Sequence, residues 1–220
     1  ANGGERPLGI PTIKDRTVQT AVKLLLEPIF DADLPPNAHG YREGHSAQQA
    51  VKEVHDLLRG GYTDVVDADL SKYFDTVPHD DLLRSVARRI SDGKILRLIK
   101  MWLKAPIEET DDRNHHHRRS PGNLGTPQGG VISPLLANIY MRRFLITFDQ
   151  RHRKPLRAHV VNYADDEVIC CRGTAPAALS AARDILARIG LTLNEAKTRV
   201  CDAWKEPFSF LGYTFGKCYS

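Results

Sequence analysis

No stretch of this sequence is long and apolar enough to cross a bilayer, since the longest apolar runs, such as Ala21–Leu26, are interrupted by charge. The opening ANGGERPLGIP carries no signal-peptide pattern. Cysteine is scarce as well: four residues, at 170, 171, 201 and 218, with no C-x-x-C. That argues against a zinc site and against a disulfide framework, and it fits reduced thiols in a cytoplasmic protein, with a bacterial-type or organellar host. A dominant charge of one sign is missing too. Lys and Arg number 31 against 27 Asp and Glu, a balance of +4 that permits a nucleic-acid partner without demanding one. Repeats and low-complexity linkers are absent. What remains is a chain of 220 residues, 41% hydrophobic, enough for one large domain or two small ones sharing a core.

Asn2-Gly3-Gly4 is a hairpin-turn signal ahead of the strand-like RPLGIPTI, so the sequence reads as a fragment that begins inside a hairpin. Helical spacing predicts a helix from Asp15 to about Phe30, with Val18, Ala21, Val22, Leu25 and Ile29 on its apolar face. Ser46 is a fitting N-cap for a helix over 47–59 that Gly60-Gly61 ends. A strand over Tyr62–Leu70 precedes helices near 79–90 and 94–104. Strands around a polar loop are expected over 106–124, then a long helix over Val131–Phe148. Two strands, about 157–163 and 167–172, flank Ala164-Asp165-Asp166, and a helix near 176–189 ends at Gly190. This order predicts an α+β fold with a mixed sheet.

Three acids stand out. Asp69 closes a strand, where a carboxylate can face a cleft. Asp165 and Asp166 sit in a β-turn-β, and their mutual repulsion is best relieved by a cation. Carboxylates from two strands suit hard divalent ions. Two such ions about 4 Å apart activate a hydroxyl and stabilise a leaving pyrophosphate. A pair of Asp in a turn, taken alone, is more often only a turn.

The motifs around these acids carry a resemblance. YADD at 163–166, DLSKYF at 69–74, GTPQGGVISPLLANIYM at 125–141, LTLNEAKT at 191–198, FSFLGYTF at 208–215 and RPLGIPTIKDRTVQ at 6–19 occur in one order. Together they resemble the motifs of group II intron-encoded reverse transcriptases over nearly the whole chain. The resemblance implies a right-hand polymerase palm, its sheet mainly antiparallel and packed on helices, over residues 61–220. Partial fingers would occupy residues 1–60, with no thumb or maturase region. It implies RNA-directed DNA synthesis with two Mg²⁺ (Mn²⁺ as an alternative ion), an RNA template, a DNA primer and dNTPs, and no membrane. Asp69 and Asp165 would bind both ions, Asp166 would be the weaker ligand, and the Leu70 carbonyl would complete one shell.

Other roles follow from the same likeness. Phe74 resembles the ring that excludes a ribose 2′-hydroxyl, with a core aromatic as its alternative. Gln128, Gly129 and Gly130 resemble the loop lining the nucleotide pocket, where glycine lets backbone approach a base pair. Arg6 would touch the triphosphate, with Lys14 and Arg16 as weaker candidates for template phosphates. Lys197 resembles the lysine that protonates or steadies pyrophosphate, with a plain surface lysine an equal alternative. Phe210, Leu211, Gly212 and Tyr213 resemble the primer grip.

Glu167 departs from the pattern, because relatives carry an apolar or aromatic residue after the YADD box. It is expected either to perturb metal binding or to point to solvent. Asp67 shares a strand face with Asp69. The run His115–His117 with Arg118 and Arg119 reads as a solvated loop near RNA phosphates, not as a metal site. Without a thumb, weak or non-processive synthesis is expected. The alternatives are a maturase-like intron RNA-binding protein that assists splicing, or a retron, diversity-generating or CRISPR-linked enzyme. Phe74 and the TPQGG stretch argue against an RNA-dependent RNA polymerase.

Overall fold

The computed structural model describes residues 9–110, 116–120, 122–127 and 129–216. In chain order the elements are α1 (Ile13–Asp31), α2 (Ala47–Arg59), β1 (Asp64–Asp69), α3 (Tyr73–Thr76), α4 (His79–Ala87), α5 (Gly93–Leu103), β2 (Ile107–Thr110) and β3 (His116–Arg119). They continue with α6 (Ser133–Phe148), a π-helical turn (Asp149–Arg153), β4 (Ala158–Tyr163), β5 (Asp166–Cys171), α7 (Ala175–Arg188), β6 (Arg199–Asp202), β7 (Phe208–Phe210) and β8 (Tyr213–Phe215). The chain forms two compact units, Ala1–Ala32 with Phe74–Ile139, and Asp33–Tyr73 with Tyr140–Ser220.

In the first unit, Thr12 caps α1 by accepting from the Asp15 amide at 3.1 Å. The helix buries Gln19, Val22, Leu26 and Phe30. Of the face expected from the sequence, only Val22 holds. Val18, Leu25 and Ile29 are 42%, 62% and 43% exposed. Two apolar stripes compete on this helix, and the one ending in the large Phe30 ring is buried. Asp92 caps α5 through the amides of Lys94 and Ile95, and Ile99, Trp102 and Leu103 turn inward. A β2–β3 ribbon pairs Ile107 with Arg119.

The second unit is built on an antiparallel sheet in the order β4-β5-β1-β6. A parallel bridge between Ala38 and Asn162 lies outside the named strands. Ser46 and Gln49 form a reciprocal capping box on α2. Ala50 and Val54 of that helix pack with Val65, Val161, Val168, Cys170 and the β7–β8 rings Phe208, Phe210 and Phe215. Alternation turns Val66 and Ile169 the other way. There α7 packs on β1 and β5, burying Ala178, Ala182, Ile185 and Leu186. The sheet is therefore covered on both faces. Cys170, Cys171 and Cys201 are buried free thiols. Among the described residues, no helix is long and apolar enough to cross a membrane.

Candidate active site

Register brings the acids together. β1 and β5 pair antiparallel with Asp69 opposite Asp166, and the Leu70 amide donates to the Asp165 carbonyl at 3.4 Å. The end of β1 and the β4–β5 turn therefore meet. Alternation places Asp67 and Asp69 on one face of β1, as the sequence implies. Partial burial, then the charges of Asp165, Asp69 and Asp67, push the Asp166 carboxyl up to about 6, with Lys197 working the other way. One carboxylate feels three others, so the site favours added positive charge.

Part of that charge comes from the chain itself. Lys197 Nζ lies 3.3 Å from Asp69 Oδ1, and Asn194 Nδ2 donates to Asp69 Oδ2 at 3.1 Å. The segment carrying both is laid against β1 by the Asn194 amide, which donates to the Asp69 carbonyl at 2.8 Å, and by the Leu70–Leu193 bridge. Arg199 Nε meets Asp67 Oδ2 at 3.1 Å. A cleft of about 200 Å³ opens here, lined by Asp67, Ala68, Asp69, Asp166, Glu167 and Lys197 together with Ser209, Phe210 and Leu211.

Phe210 and Tyr213 close the β7–β8 hairpin as its last pair. Leu211 and Gly212, with φ of +51° and +80°, form its two-residue turn. Phe210 is buried with the core rings, whereas Tyr213 is 47% exposed. The expected grip thus borders the acidic cleft through Phe210 and Leu211.

Glu167 corrects the sequence reading. It is 1% exposed, because alternation carries it to the covered face of β5 beside Ala68. Its side chain does not reach solvent, although residue 167 is among those that border the cleft. Burial pushes its carboxyl up to about 8, with Asn162 working the other way. Asn162 Nδ2 donates to Glu167 Oε1 at 3.3 Å and to the Ala164 carbonyl at 3.0 Å. The carboxyl therefore holds its proton more tightly than an ordinary glutamate does.

Phe74 lies in the first unit, half-buried, and its carbonyl accepts from the Thr126 amide at 2.6 Å. Gly125, at φ +88°, packs so closely on Phe74 and Asp75 that an added Cβ would fall 3.0–3.1 Å from their backbone. Gly129 is exposed at φ +93°, a left-handed position suited to glycine. A Cβ on Gly130 would meet Ser133 Oγ at 2.6 Å. In that unit the buried Gln19 accepts from the Ile132 amide at 3.4 Å. Lys14 and Arg16 are exposed on α1. Arg6 and Gln128 lie outside the described residues, as do Asn2-Gly3-Gly4, His115 and Cys218.

Asn194 and Asn162 were not singled out from the sequence. Asn194 sits inside LTLNEAKT and Asn162 immediately before YADD, but only the fold shows which way an amide turns.

The donor chemistry fits hard divalent ions: carboxylates of Asp69, Asp165 and Asp166 at one strand end and one turn, in a negative field. Among the described residues no three His, Cys, Asp or Glu side chains are already gathered as a ligand set. Asp69 is instead engaged by Lys197 and Asn194.

A family model described as reverse transcriptase (RNA-dependent DNA polymerase) matches residues 1–215. Protein YkfC of Escherichia coli is 32% identical over 252 residues, covering 97% of this chain and 64% of its own length. A putative COX1/OXI3 intron 1 protein of Saccharomyces cerevisiae is 30% identical, over 96% of this chain and 31% of its own. The group II intron-encoded protein LtrA of Lactococcus lactis is 39% identical over 136 residues, 62% of this chain and 22% of its own. The chain thus spans about a third to two thirds of the first two relatives and less of the third. Among solved structures, apo telomerase from Candida tropicalis superposes with a TM-score of 0.61 at 14% identity, over 92% of this chain and 43% of that one. This likeness is one of fold, the right-hand polymerase.

Proposed function

The chain belongs to the reverse transcriptase (RNA-dependent DNA polymerase) family, and from that premise we propose that it adds dNTPs to a primer 3′-hydroxyl on an RNA template. The observation that carries the reading is the pairing of Asp69 with Asp166 beside the Asp165 turn, above a cleft bordered by a tight hairpin. Likeness to LtrA and to yeast intron proteins supports a group II intron type and intron RNA as template. The naming of residues 1–60 as fingers and 61–220 as palm, and a cytoplasmic or organellar location, belong to the same reading.

Asp69, Asp165 and Asp166 would hold two Mg²⁺, with the Leu70 carbonyl completing one shell. Bound there, divalent ions supply the charge neutralisation that phosphoryl transfer needs at the attacking and leaving oxygens. The protein's own share is positioning. Asn194 fixes one oxygen of Asp69 and leaves the carboxylate aimed at the cleft. Lys197 holds the other oxygen until a polyphosphate offers it a stronger partner, and its ammonium then steadies the departing pyrophosphate. Phe210 to Tyr213 hold the primer end by a hairpin whose core ring anchors it. Phe74 sets sugar selectivity by bulk. By the same resemblance, Gln128, Gly129 and Gly130 would line the nucleotide pocket and Arg6 would touch the triphosphate.

Primer extension tests this. The whole natural protein should extend a DNA primer on RNA with dNTPs and Mg²⁺. Asp165→Asn should lower the rate by about a hundredfold to a thousandfold, the scale of losing one preorganised electrostatic group. Undiminished synthesis by that variant would refute the assignment.

A further inference from the structure

We propose that Asn37–Gly40 is a brace that sets the position of the catalytic turn, with Gly40 as its positioning residue and the His39–Glu53 pair as its anchor. The inference rests on the polymerase reading above for its consequence, but its geometry stands alone.

In the sheet, β4 is an edge strand, bonded on one side to β5. Its other side is occupied by Asn37–Gly40. The Asn162 amide donates to the Asn37 carbonyl at 3.0 Å, and the His39 amide donates to the Asn162 carbonyl at 2.9 Å. Asn37 Nδ2 adds a bond to the Val160 carbonyl at 2.8 Å. This short parallel rail ends at Gly40, directly on the turn. A Cβ at Gly40 would stand 2.3 Å from the Ala164 nitrogen and 3.0 Å from the Tyr163 carbonyl carbon. Both are backbone atoms, so no side-chain rotation relieves the clash. Backbone touches backbone here because residue 40 has no side chain.

The turn needs such support. Ala164 sits at φ +59°, a left-handed conformation that costs a residue with a Cβ and persists only where its surroundings over-determine it. Asn162 holds the Ala164 carbonyl from within the hairpin, and Gly40 closes on the Ala164 nitrogen. The rail is itself fixed. His39 Nε2 lies 2.7 Å from Glu53 Oε2 on α2. Arg42 Nη1 donates to the Pro35 and Ala38 carbonyls, each at 2.9 Å. A chain of contacts therefore runs from α2 through His39 and Gly40 to the residue before Asp165.

The test uses Gly40→Ala, His39→Ala and His39→Gln in the whole natural protein, read by amide hydrogen exchange and by single-nucleotide addition. Gln keeps a nitrogen donor able to reach Glu53. Gly40→Ala should exchange at least about tenfold faster over residues 162–166 with α5 and α7 unchanged. It should lower kcat by about a hundredfold with KM for dNTP within about twofold, the scale of a 1 Å displacement of a catalytic group. His39→Ala should show a weaker form of both effects and His39→Gln should restore them. Wild-type exchange in the turn of Gly40→Ala would overturn the brace, whether or not the protein polymerises. Absent synthesis by the wild-type protein, with fast exchange in Gly40→Ala, would instead refute the polymerase reading and keep the brace. A parallel rise in exchange throughout both variants would mean general loosening, and would also overturn it.

Discussion

Glu167 shows how one residue's surroundings reverse its apparent meaning. In the sequence it extends an acidic box, and in the fold it is a buried acid that keeps its proton. With burial favouring the protonated carboxyl, Glu167→Gln should leave the urea-unfolding free energy within about 1 kcal/mol of wild type, as volume-conserving exchanges do. A loss of about 3–5 kcal/mol would mean that a buried charge pair had been broken. His159 gives the pH dependence. Its ring meets Tyr62 edge-on at 4.8 Å. Burial first, then the nearby Arg153, holds it below the ordinary value of 6.5. The unfolded chain thus binds this proton more readily. Stability that is present above pH 6.5 is lost as the pH falls through that value towards the folded one. His159→Gln should flatten this part of a stability–pH curve measured by urea unfolding. An unchanged slope would assign the dependence elsewhere.

At the scale of elements, periodicity and capping were legible and orientation was not. Ser46 and Gly60 mark the ends of α2 because caps are local chemistry, and Ser46→Ala should cost about 1 kcal/mol in thermal or urea unfolding. The buried stripe of α1 differs from the one that its spacing predicts. Val18, Leu25 and Ile29 offer as good an apolar arc as Val22, Leu26 and Phe30, and only packing chooses. The choice is measurable. Leu26, 1% exposed, should cost about 2–5 kcal/mol on replacement by Ala. Leu25→Ala, at a position 62% exposed, should stay within about 0.5 kcal/mol. Equal losses would contradict the observed face. The single turn of α3 and the π-helical turn after α6 escaped the sequence because neither is long enough to show a period. The hairpin around Ala164 was legible from its flanking β-branched runs, whereas the rail from Asn37 to Gly40 was not. That rail is held by backbone bonds across more than a hundred residues, and such bonds leave no pattern in side-chain type.

For the molecule as a whole, the order of motifs made the fold readable, because six short matches in sequence constrain one topology far more than any of them alone. Sugar choice is a property at this scale, since it needs nucleotide, template and protein together. Phe74→Ala should raise the ratio of rNTP to dNTP incorporation by at least about tenfold, the effect of losing a steric contact worth a few kcal/mol. Unaltered selectivity would make Phe74 a packing residue only. The central claim is that Asp69, Asp165 and Asp166 converge to gather divalent ions around the reacting phosphates. Anomalous diffraction from Mn²⁺ in a complex with primer, RNA template and a non-reacting dNTP tests it most directly. The account predicts two peaks bordered by Asp69 and Asp165, both lost in Asp165→Asn. A bound dNTP with no peak beside these carboxylates would contradict it.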